Sequence, residues 1–98
     1  MGSDKKLIKI RNSVYTITQQ QEIYYHGECD GFCDTSKQLI LIKSGMRELK
    51  KKSTLFHETV HCAIFEFGIK FKNAKQEEKF VEEIERLANH TLLSSFFP

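Results

Sequence analysis

Two histidines and a glutamate near the middle of the chain form the pattern H-E-x-x-H. His57 and His61 are four residues apart, and Glu58 directly follows the first of them. If this segment is helical, both imidazoles lie on one face, where they can bind one metal ion. Glu58 can then reach a metal-bound water without itself being a ligand. These residues are the minimal set for metal-assisted hydrolysis, and Zn2+ is the metal that they indicate.

Two histidines do not hold zinc tightly, so a hydrolytic site needs a third protein ligand and an open position for water. The metzincin continuation is excluded, because Ile64 and Phe67 stand where that pattern requires glycine and histidine. A glutamate from a later helix is the alternative. Glu85 is the first choice, since it lies near the buried stripe of that helix and Asn89 follows one turn later. The other candidates, in order, are Glu82, Glu78 and Glu77.

A long periodic segment carries the motif and predicts a helix of about 22 residues. Ser44 is its candidate N-cap, and Gly68 is a suitable residue to end it. Each histidine directly follows a position of the apolar stripe, so both should lie at the edge of the buried face. The stripe consists of Met46, Leu49, Ser53, Phe56, Val60, Ala63 and Phe67.

A second helix is predicted over residues 76–93, after a basic linker. At roughly 100° of rotation per residue, Glu85 falls nearer to its apolar stripe than Glu82 does. The predicted inward positions of this helix are Phe80, Val81, Ile84, Leu87, Ala88 and Thr91. The acidic side of the helix is therefore expected to complete the site.

The first half of the chain predicts strands. Residues 7–11 and 14–18 are rich in Ile, Val, Tyr and Thr and predict a hairpin. Residues 34–36 are a turn signal between segments 27–33 and 37–43, which predict a second hairpin. The apolar run 39–42 should be a strand packed against the motif helix. The expected fold is α+β: a small antiparallel sheet of three or four strands on a long H-E-x-x-H helix and a C-terminal helix.

Length and composition exclude several other classes. With 98 residues, the chain predicts one domain over 1–98, with residues 1–6 as a disordered tail. A net charge of +2 gives no reason to expect a nucleic-acid partner. No stretch approaches the roughly 18 to 20 apolar residues that cross a bilayer, so no membrane partner is expected. The polar N-terminus lacks a signal-peptide core, which favours a cytoplasmic protein.

The cysteines also favour a reducing compartment. Three is an odd number, which argues against a closed disulfide framework. Cys29 and Cys33 are four residues apart, not at the spacing of a zinc knuckle, although a disulfide between them is an open alternative. Cys62 directly follows His61 and should point about 100° away from it, so it is not expected to bind the metal. Three half-buried thiols are the expectation.

Several segments resemble small phage and prophage zinc-metallopeptidase-like proteins. Residues 85–89, E-R-L-A-N, are similar to the E-x-x-A-N segment of the ImmA/IrrE peptidase family. The resemblance implies a zincin-like domain in which His57 and His61 are zinc ligands, Glu58 is the general base and Glu85 is the third ligand. The other segments that carry it are 15–17, 27–30, 38–42, 54–64 and 66–68.

The resemblance implies a zinc-dependent metallopeptidase of phage or mobile-element origin that hydrolyses peptide bonds through a zinc-activated water. An extended peptide or protein substrate is expected along a strand edge, with 37–43 the candidate strand. Tyr24, Tyr25, His26 and His90 are candidate donors to the oxyanion. The alternative is a non-catalytic interaction protein with a structural metal site that binds a phage or host protein. Glu58 favours the enzyme, because a structural zinc site needs no acid beside its ligand.

Overall fold

The computed structural model describes residues 6–24 and 27–91, the last three of them by their backbone alone. Within these residues, strands come first and two helices follow, so the expected α+β class is confirmed. The strands are β1 (Lys6–Ile10), β2 (Ser13–Gln20), β3 (Ile23–Tyr24), β4 (Glu28–Cys29), β5 (Gly31–Asp34) and β6 (Leu39–Lys43). The helices are α1 (Glu48–Glu66) and α2 (Ala74–Thr91).

Four strands form one mixed sheet in the order β1-β2-β6-β5, and β3 pairs with β4 separately. The antiparallel pairs β1–β2 and β5–β6 confirm the two predicted hairpins. β2 and β6 are parallel, so the expectation of an antiparallel sheet is wrong for this pair. The reason is the connection between them, because three strands separate β2 from β6, and a long crossover permits parallel pairing where a tight turn does not.

The ends of the hairpins follow local chemistry. Asp34 Oδ1 accepts hydrogen bonds from the backbone N–H groups of Ser36 and Lys37, both at 3.1 Å. This side-chain turn between β5 and β6 is the one that residues 34–36 predict. At the other end of the sheet, β1 already includes Lys6. The expected disordered tail therefore cannot extend to residue 6, and residues 1–5 lie outside the described chain.

The core lies between the sheet and α1. Tyr15 of β2 and Ile40 of β6 have no exposed surface, and Ile42 is 3% exposed. Cys62 of α1 belongs to the same buried cluster. β6 therefore packs against the motif helix, as its continuous apolar run predicts. α1 is held on the sheet by apolar burial, which is the main favourable term in folding.

α1 begins later than the sequence predicts. Its first residue is Glu48, and Arg47 rather than Ser44 is the N-cap residue. The N–H of Ser44 donates to the carbonyl of Gln20 at 2.9 Å. Ser44 thus continues the sheet and is not available to cap a helix.

The end of α1 is as predicted. Gly68 has a φ of +67°, a left-handed conformation that favours glycine. Its N–H donates to the carbonyl of Phe65 at 3.1 Å, and the N–H of Ile69 donates to that of Ile64 at 3.0 Å. These two bonds form a Schellman motif, which satisfies carbonyls at the helix end.

The predicted apolar stripe of α1 is wrong at Leu49 and Phe67, whereas Met46 and Ala63 do pack against the core. Leu49 and Phe67 are 71% and 56% exposed. The buried residues of the helix are instead Thr54, Cys62 and Ile64. α1 is therefore rotated about its own axis relative to the predicted orientation. The reason is that β5 packs against the side of the helix that carries Thr54 and Cys62.

A disulfide between Cys33 of β5 and Cys62 of α1 accounts for part of this orientation. The expectation of three unpaired thiols is therefore wrong, and the alternative bridge between Cys29 and Cys33 does not form. The two bridged residues are 29 positions apart in sequence and meet only through the fold. Cys29 keeps its thiol.

α2 runs antiparallel to α1 and covers the side of it that carries the histidines. Val81 and Ala88 are buried, at 0% and 2% exposure. Phe80 and Leu87 are 41% and 68% exposed, so these two predicted inward positions are wrong. Among the described elements, α2 packs chiefly against α1. Neither helix of the described chain is long and apolar enough to cross a membrane.

Candidate metal centre

His57 and His61 lie one turn apart on the face of α1 that looks towards α2. Their ring centroids are 5.0 Å apart. Their side chains are 19% and 21% exposed. Both are thus held at the edge of the buried face and remain accessible, as the spacing of the motif predicts.

Glu78 of α2 lies between the two imidazoles. Its Oε2 is 2.9 Å from Nε2 of His57, and its Oε1 is 2.9 Å from Nε2 of His61. Ligand atoms of these three residues lie within 4.8 Å of one another. Two imidazoles and one carboxylate are a donor set that suits zinc and leaves a coordination position for water.

The other nitrogen of each histidine also meets a carboxylate. Nδ1 of His57 donates to Glu85 Oε1 at 2.8 Å, and Nδ1 of His61 donates to Glu77 Oε2 at 2.8 Å. Metal-binding histidines usually hold their second N–H in this way, which orients the ring and leaves Nε2 free to bind. Both rings are therefore oriented with Nε2 towards the same point.

The antiparallel helix pair explains why α2 supplies all three acids. Residues 77 and 78 lie at its start and meet the later histidine, whereas residue 85 lies two turns further on and meets the earlier part of α1. A spacing of seven or eight residues keeps these side chains on one helix face. Three glutamates of one helix can thus reach two histidines of the other.

The four glutamates considered as third ligand have different positions in the structure. Glu85 contacts Nδ1 of His57 and accepts a hydrogen bond from Ser53, while Glu78 is the one that meets Nε2 of both rings. Glu77 contacts Nδ1 of His61, and Glu82 is exposed. The side chain of Asn89, the expected support for Glu85, lies outside the described residues. The prediction that Glu85 lies nearer than Glu82 to the buried side of α2 is confirmed, because Glu85 is half-buried and Glu82 is exposed.

Ser53 and Gly31 belong to the site but were not recognised from the sequence in these roles. Ser53 lies one turn before His57, on the same face of the helix. This spacing could have indicated that both residues contact Glu85. Gly31 of β5 lies directly over α1, and a Cβ there would be 2.7 Å from Thr54 Cγ2 and 3.1 Å from Glu58 Cγ. The absence of a side chain lets β5 approach the helix at the motif glutamate. Nothing in the sequence near residue 31 signals that contact.

Glu58 lies between β5 and the face of α1 that carries His57 and His61. Burial raises the pKa of its carboxyl, and the nearby His57 and His61 only partly offset that effect. A carboxyl whose pKa is raised above its ordinary value is a stronger proton acceptor, which is what a general base requires.

The pKa of His57 responds to opposing influences. Burial lowers it, but the hydrogen bond to Glu85 and the charges of Glu78 and Glu58 outweigh burial, so the pKa is raised. The ring is held in a strongly acidic environment. Such an environment favours a bound cation, whether a proton or a metal ion.

Two cavities meet at His57 and Glu58. One, of about 550 Å3, extends past His61 towards the end of α1; the other, of about 340 Å3, extends towards its beginning. Gly31 lines both of them, so β5 forms one wall of a continuous cleft. An extended molecule lying in this cleft would pass directly over Glu58.

The strand edge that borders the cleft is not the one that the sequence suggested. Residues 37–43 include β6, which lies between β2 and β5 and has both edges paired. β5 is the last strand in the sheet order, so its outer edge pairs with no other strand of the described chain. The tyrosine and histidine candidates for an oxyanion donor stay predictions. Tyr24 is 67% exposed and lines neither cavity, residues 25 and 26 lie outside the described chain, and so does the side chain of His90.

No family model matches this chain, and no match is found among curated proteins or among solved structures. What the site can do therefore follows from its own geometry.

Proposed function

We propose that this chain is a zinc-dependent metallopeptidase. The observation that carries the proposal is the convergence of His57, His61 and Glu78 within 4.8 Å, with the half-buried Glu58 beside them in an open cleft. We assign the third ligand to Glu78, with Glu85 as the alternative. The donor set fits zinc, and the cleft gives a substrate access to it.

The protein side chains have separate roles in this proposal. His57, His61 and Glu78 would hold the metal, which when bound supplies a water of lowered pKa and polarises the substrate carbonyl. Glu58 accepts the proton of the attacking water and passes it to the leaving amine.

Glu85 and Glu77 orient the two imidazoles rather than bind the metal. Each accepts a hydrogen bond from an Nδ1, at 2.8 Å in both cases. Ser53 in turn donates to Glu85 and fixes its carboxylate. Loss of such an outer partner typically weakens metal affinity by roughly 10- to 100-fold, whereas loss of a ligand removes tight binding.

The substrate would be an extended peptide paired with the outer edge of β5. Main-chain hydrogen bonds to the edge of a sheet contribute affinity for a peptide whatever its amino-acid sequence. Gly31 brings that strand against Glu58, with an ideal Cβ position only 3.1 Å from Glu58 Cγ. A peptide paired with β5 would thereby place one of its backbone carbonyls beside the carboxylate of Glu58.

Zinc content of matched variants tests the metal assignment. We expect about one zinc per chain in wild type, loss of tight binding in Glu78→Gln, and a roughly 10- to 100-fold weaker affinity in Glu85→Gln. Glu83→Gln is the control, because Glu83 is exposed on the same helix and lines neither cavity of the site. Zinc-free wild type prepared in metal-replete medium would refute the site. Loss of binding in Glu85→Gln but not in Glu78→Gln would make Glu85 the third ligand.

A peptide-library digest of zinc-loaded wild type and Glu58→Gln tests the reaction. We expect cleavage by wild type and at least a roughly 100-fold loss in the variant, as for removal of a general base. Zinc content must be equal in the two proteins. Equal, background-level hydrolysis would instead support the alternative of a non-catalytic interaction protein with a structural metal.

A further inference from the structure

The larger cavity beside the candidate metal centre has an apolar end. It extends from His61 along the last turn of α1, where Ile64, Phe65 and Ile69 line it. Ile64 is 4% exposed, whereas Phe65 and Ile69 are 60% and 51% exposed. Two large apolar side chains therefore face an open space next to the site. Their surface leaves water when an apolar group enters, which favours such a group thermodynamically.

The smaller cavity on the other side of His57 has a different character. Asp30, Lys50, Glu82 and Glu85 contribute to its lining. Lys50 Nζ lies 3.4 Å from Asp30 Oδ2, so charged groups face each other across its entrance. An apolar side chain placed there would desolvate these charges. The two sides of the cleft thus favour different side chains.

The direction of β5 relates these two sides to the direction of a bound peptide. Cys29 and Gly31 line both cavities, Asp30 lines only the smaller one, and Phe32, Cys33 and Thr35 line only the larger one. β5 therefore runs from the charged side to the apolar side. Antiparallel strand pairing is the slightly more stable mode per residue. A peptide added antiparallel to β5 places its N-terminal part against the apolar side.

We propose that the larger cavity is a specificity pocket for a bulky apolar side chain of the substrate, and that Phe65 and Ile69 determine this preference. The preferred residue lies on the N-terminal side of the bond presented to Glu58. The inference rests on the proposed peptidase function and adds to it a substrate class, namely peptides with a large apolar residue shortly before the cleavage site.

Binding to the Glu58→Gln variant tests the pocket without any need for cleavage. Two probes suffice, the N-acetylated hexapeptide amides Ala-Ala-Phe-Ala-Ala-Ala and Ala-Ala-Ala-Ala-Ala-Ala, titrated by NMR with isoleucine methyl signals as the readout. We expect the Phe peptide to bind at least roughly tenfold more tightly, as one good apolar contact allows. The methyl signals of Ile64 and Ile69 should move with that peptide only.

A second substitution locates the preference. Adding Phe65→Ser to Glu58→Gln should abolish the difference between the two peptides. Adding Leu49→Ser should not, because Leu49 is 71% exposed on the same helix and lines neither cavity. Equal affinity for the two peptides, or a preference that survives Phe65→Ser, would overturn the pocket.

Cleavage sites of the wild type test the direction. Bulky apolar residues should be enriched on the N-terminal side of the cut, and enrichment on the C-terminal side would overturn the antiparallel placement. If wild type cuts nothing faster than Glu58→Gln does, the peptidase function fails. The binding comparison still decides the pocket in that case, so the two failures are distinguishable.

Discussion

At the scale of single residues, the candidate metal centre combines two imidazoles with several carboxylates. His57 and His61 each meet two glutamates, one at each ring nitrogen. Glu58 adds a half-buried carboxyl, and its partial burial raises the pKa of that group. Groups that are placed for function in this way commonly reduce stability, since charge is concentrated where water is partly excluded.

Glu58→Gln should stabilise the metal-free protein at neutral pH. Burial raises the pKa of Glu58 above its ordinary value near 4.5, so its contribution to stability is present below that value and is lost as pH rises through the folded pKa. Glutamine has no charge to desolvate. Urea unfolding in the presence of a chelator should show a stability gain at pH 7 that disappears near pH 4. Exposed Glu82→Gln should show no such gain, and lower stability of Glu58→Gln at pH 7 would contradict the expectation.

Tyr15 should make the fold sensitive to alkali. Burial raises the pKa of its hydroxyl far above the ordinary 10.0, and so does the hydrogen bond of 2.7 Å that the hydroxyl donates to Glu66. The stability linked to the neutral hydroxyl is therefore complete below pH 10 and is lost as pH rises beyond that value. Tyr15→Phe should cost about 1.5–3 kcal/mol at pH 7, the range for hydrogen bonds to charged groups.

The pH dependence distinguishes Tyr15 from the other tyrosines. Urea unfolding from pH 8 to 11 should show a smaller alkaline loss in Tyr15→Phe than in wild type. Tyr24→Phe should keep the wild-type loss, because Tyr24 is 67% exposed. An unchanged alkaline loss in Tyr15→Phe would show that another group causes it.

At the scale of elements, three contacts position α1. The antiparallel α2 brings its glutamates to the histidines, the network of Glu66 with Tyr15 and Ser13 holds the end of the helix on β2, and β5 lies across its middle. The last contact depends on Gly31. β5 borders the cleft, so its distance from α1 sets the depth of the groove over Glu58.

Gly31→Ala should destabilise this contact. The added Cβ would be 2.7 Å from Thr54 Cγ2, closer than real atoms approach, and Thr54 is only 8% exposed. Overpacking of this kind costs about 1–3 kcal/mol. Thermal and urea unfolding should show the loss, and Thr54→Ser in the same chain should recover part of it by removing that methyl group. No loss in Gly31→Ala, or no recovery in the double variant, would place the two elements further apart.

At the scale of the whole molecule, one covalent bond ties the sheet to the helix layer. Cys33 and Cys62 are 29 residues apart, and closing a loop of that length stabilises a protein by roughly 3–4 kcal/mol through the unfolded state. The contribution is large for a chain of 98 residues, in which a single small core supplies the rest of the stability.

A reductant should therefore lower the stability of wild type by roughly 3–4 kcal/mol in urea unfolding. Cys33→Ala should show the lower stability without reductant and no further change with it. Cys29→Ser should keep the full reductant effect, because Cys29 is outside the bridge. Alkylation of the unfolded, unreduced wild type should label one cysteine per chain, and labelling of three would refute the bridge.

Local patterns predicted the elements well. Segments rich in Ile, Val, Tyr and Thr predicted β1 and β2, and a continuous apolar run predicted β6. The turn at Asp34 predicted the second hairpin, and Gly68 predicted the end of α1. These features depend on a few neighbouring residues, so the sequence contains the information directly. The same holds for His57 and His61, because a spacing of four residues places two side chains on one helix face whatever the rest of the fold.

Tertiary structure decided what depends on distant contacts. The parallel pairing of β2 with β6 and the crossing of β5 over the helix decide three features. These are the identity of the edge strand, the pairing of the cysteines and the side of α1 that is buried. The position of Glu78 between the imidazoles depends on how far α2 slides along α1, and one turn of sliding exchanges one glutamate for another. The sequence by itself determined the relative positions of the two histidines and Glu58, since these positions are fixed within one helix. Only the packing of two helices determined which carboxylate faces them.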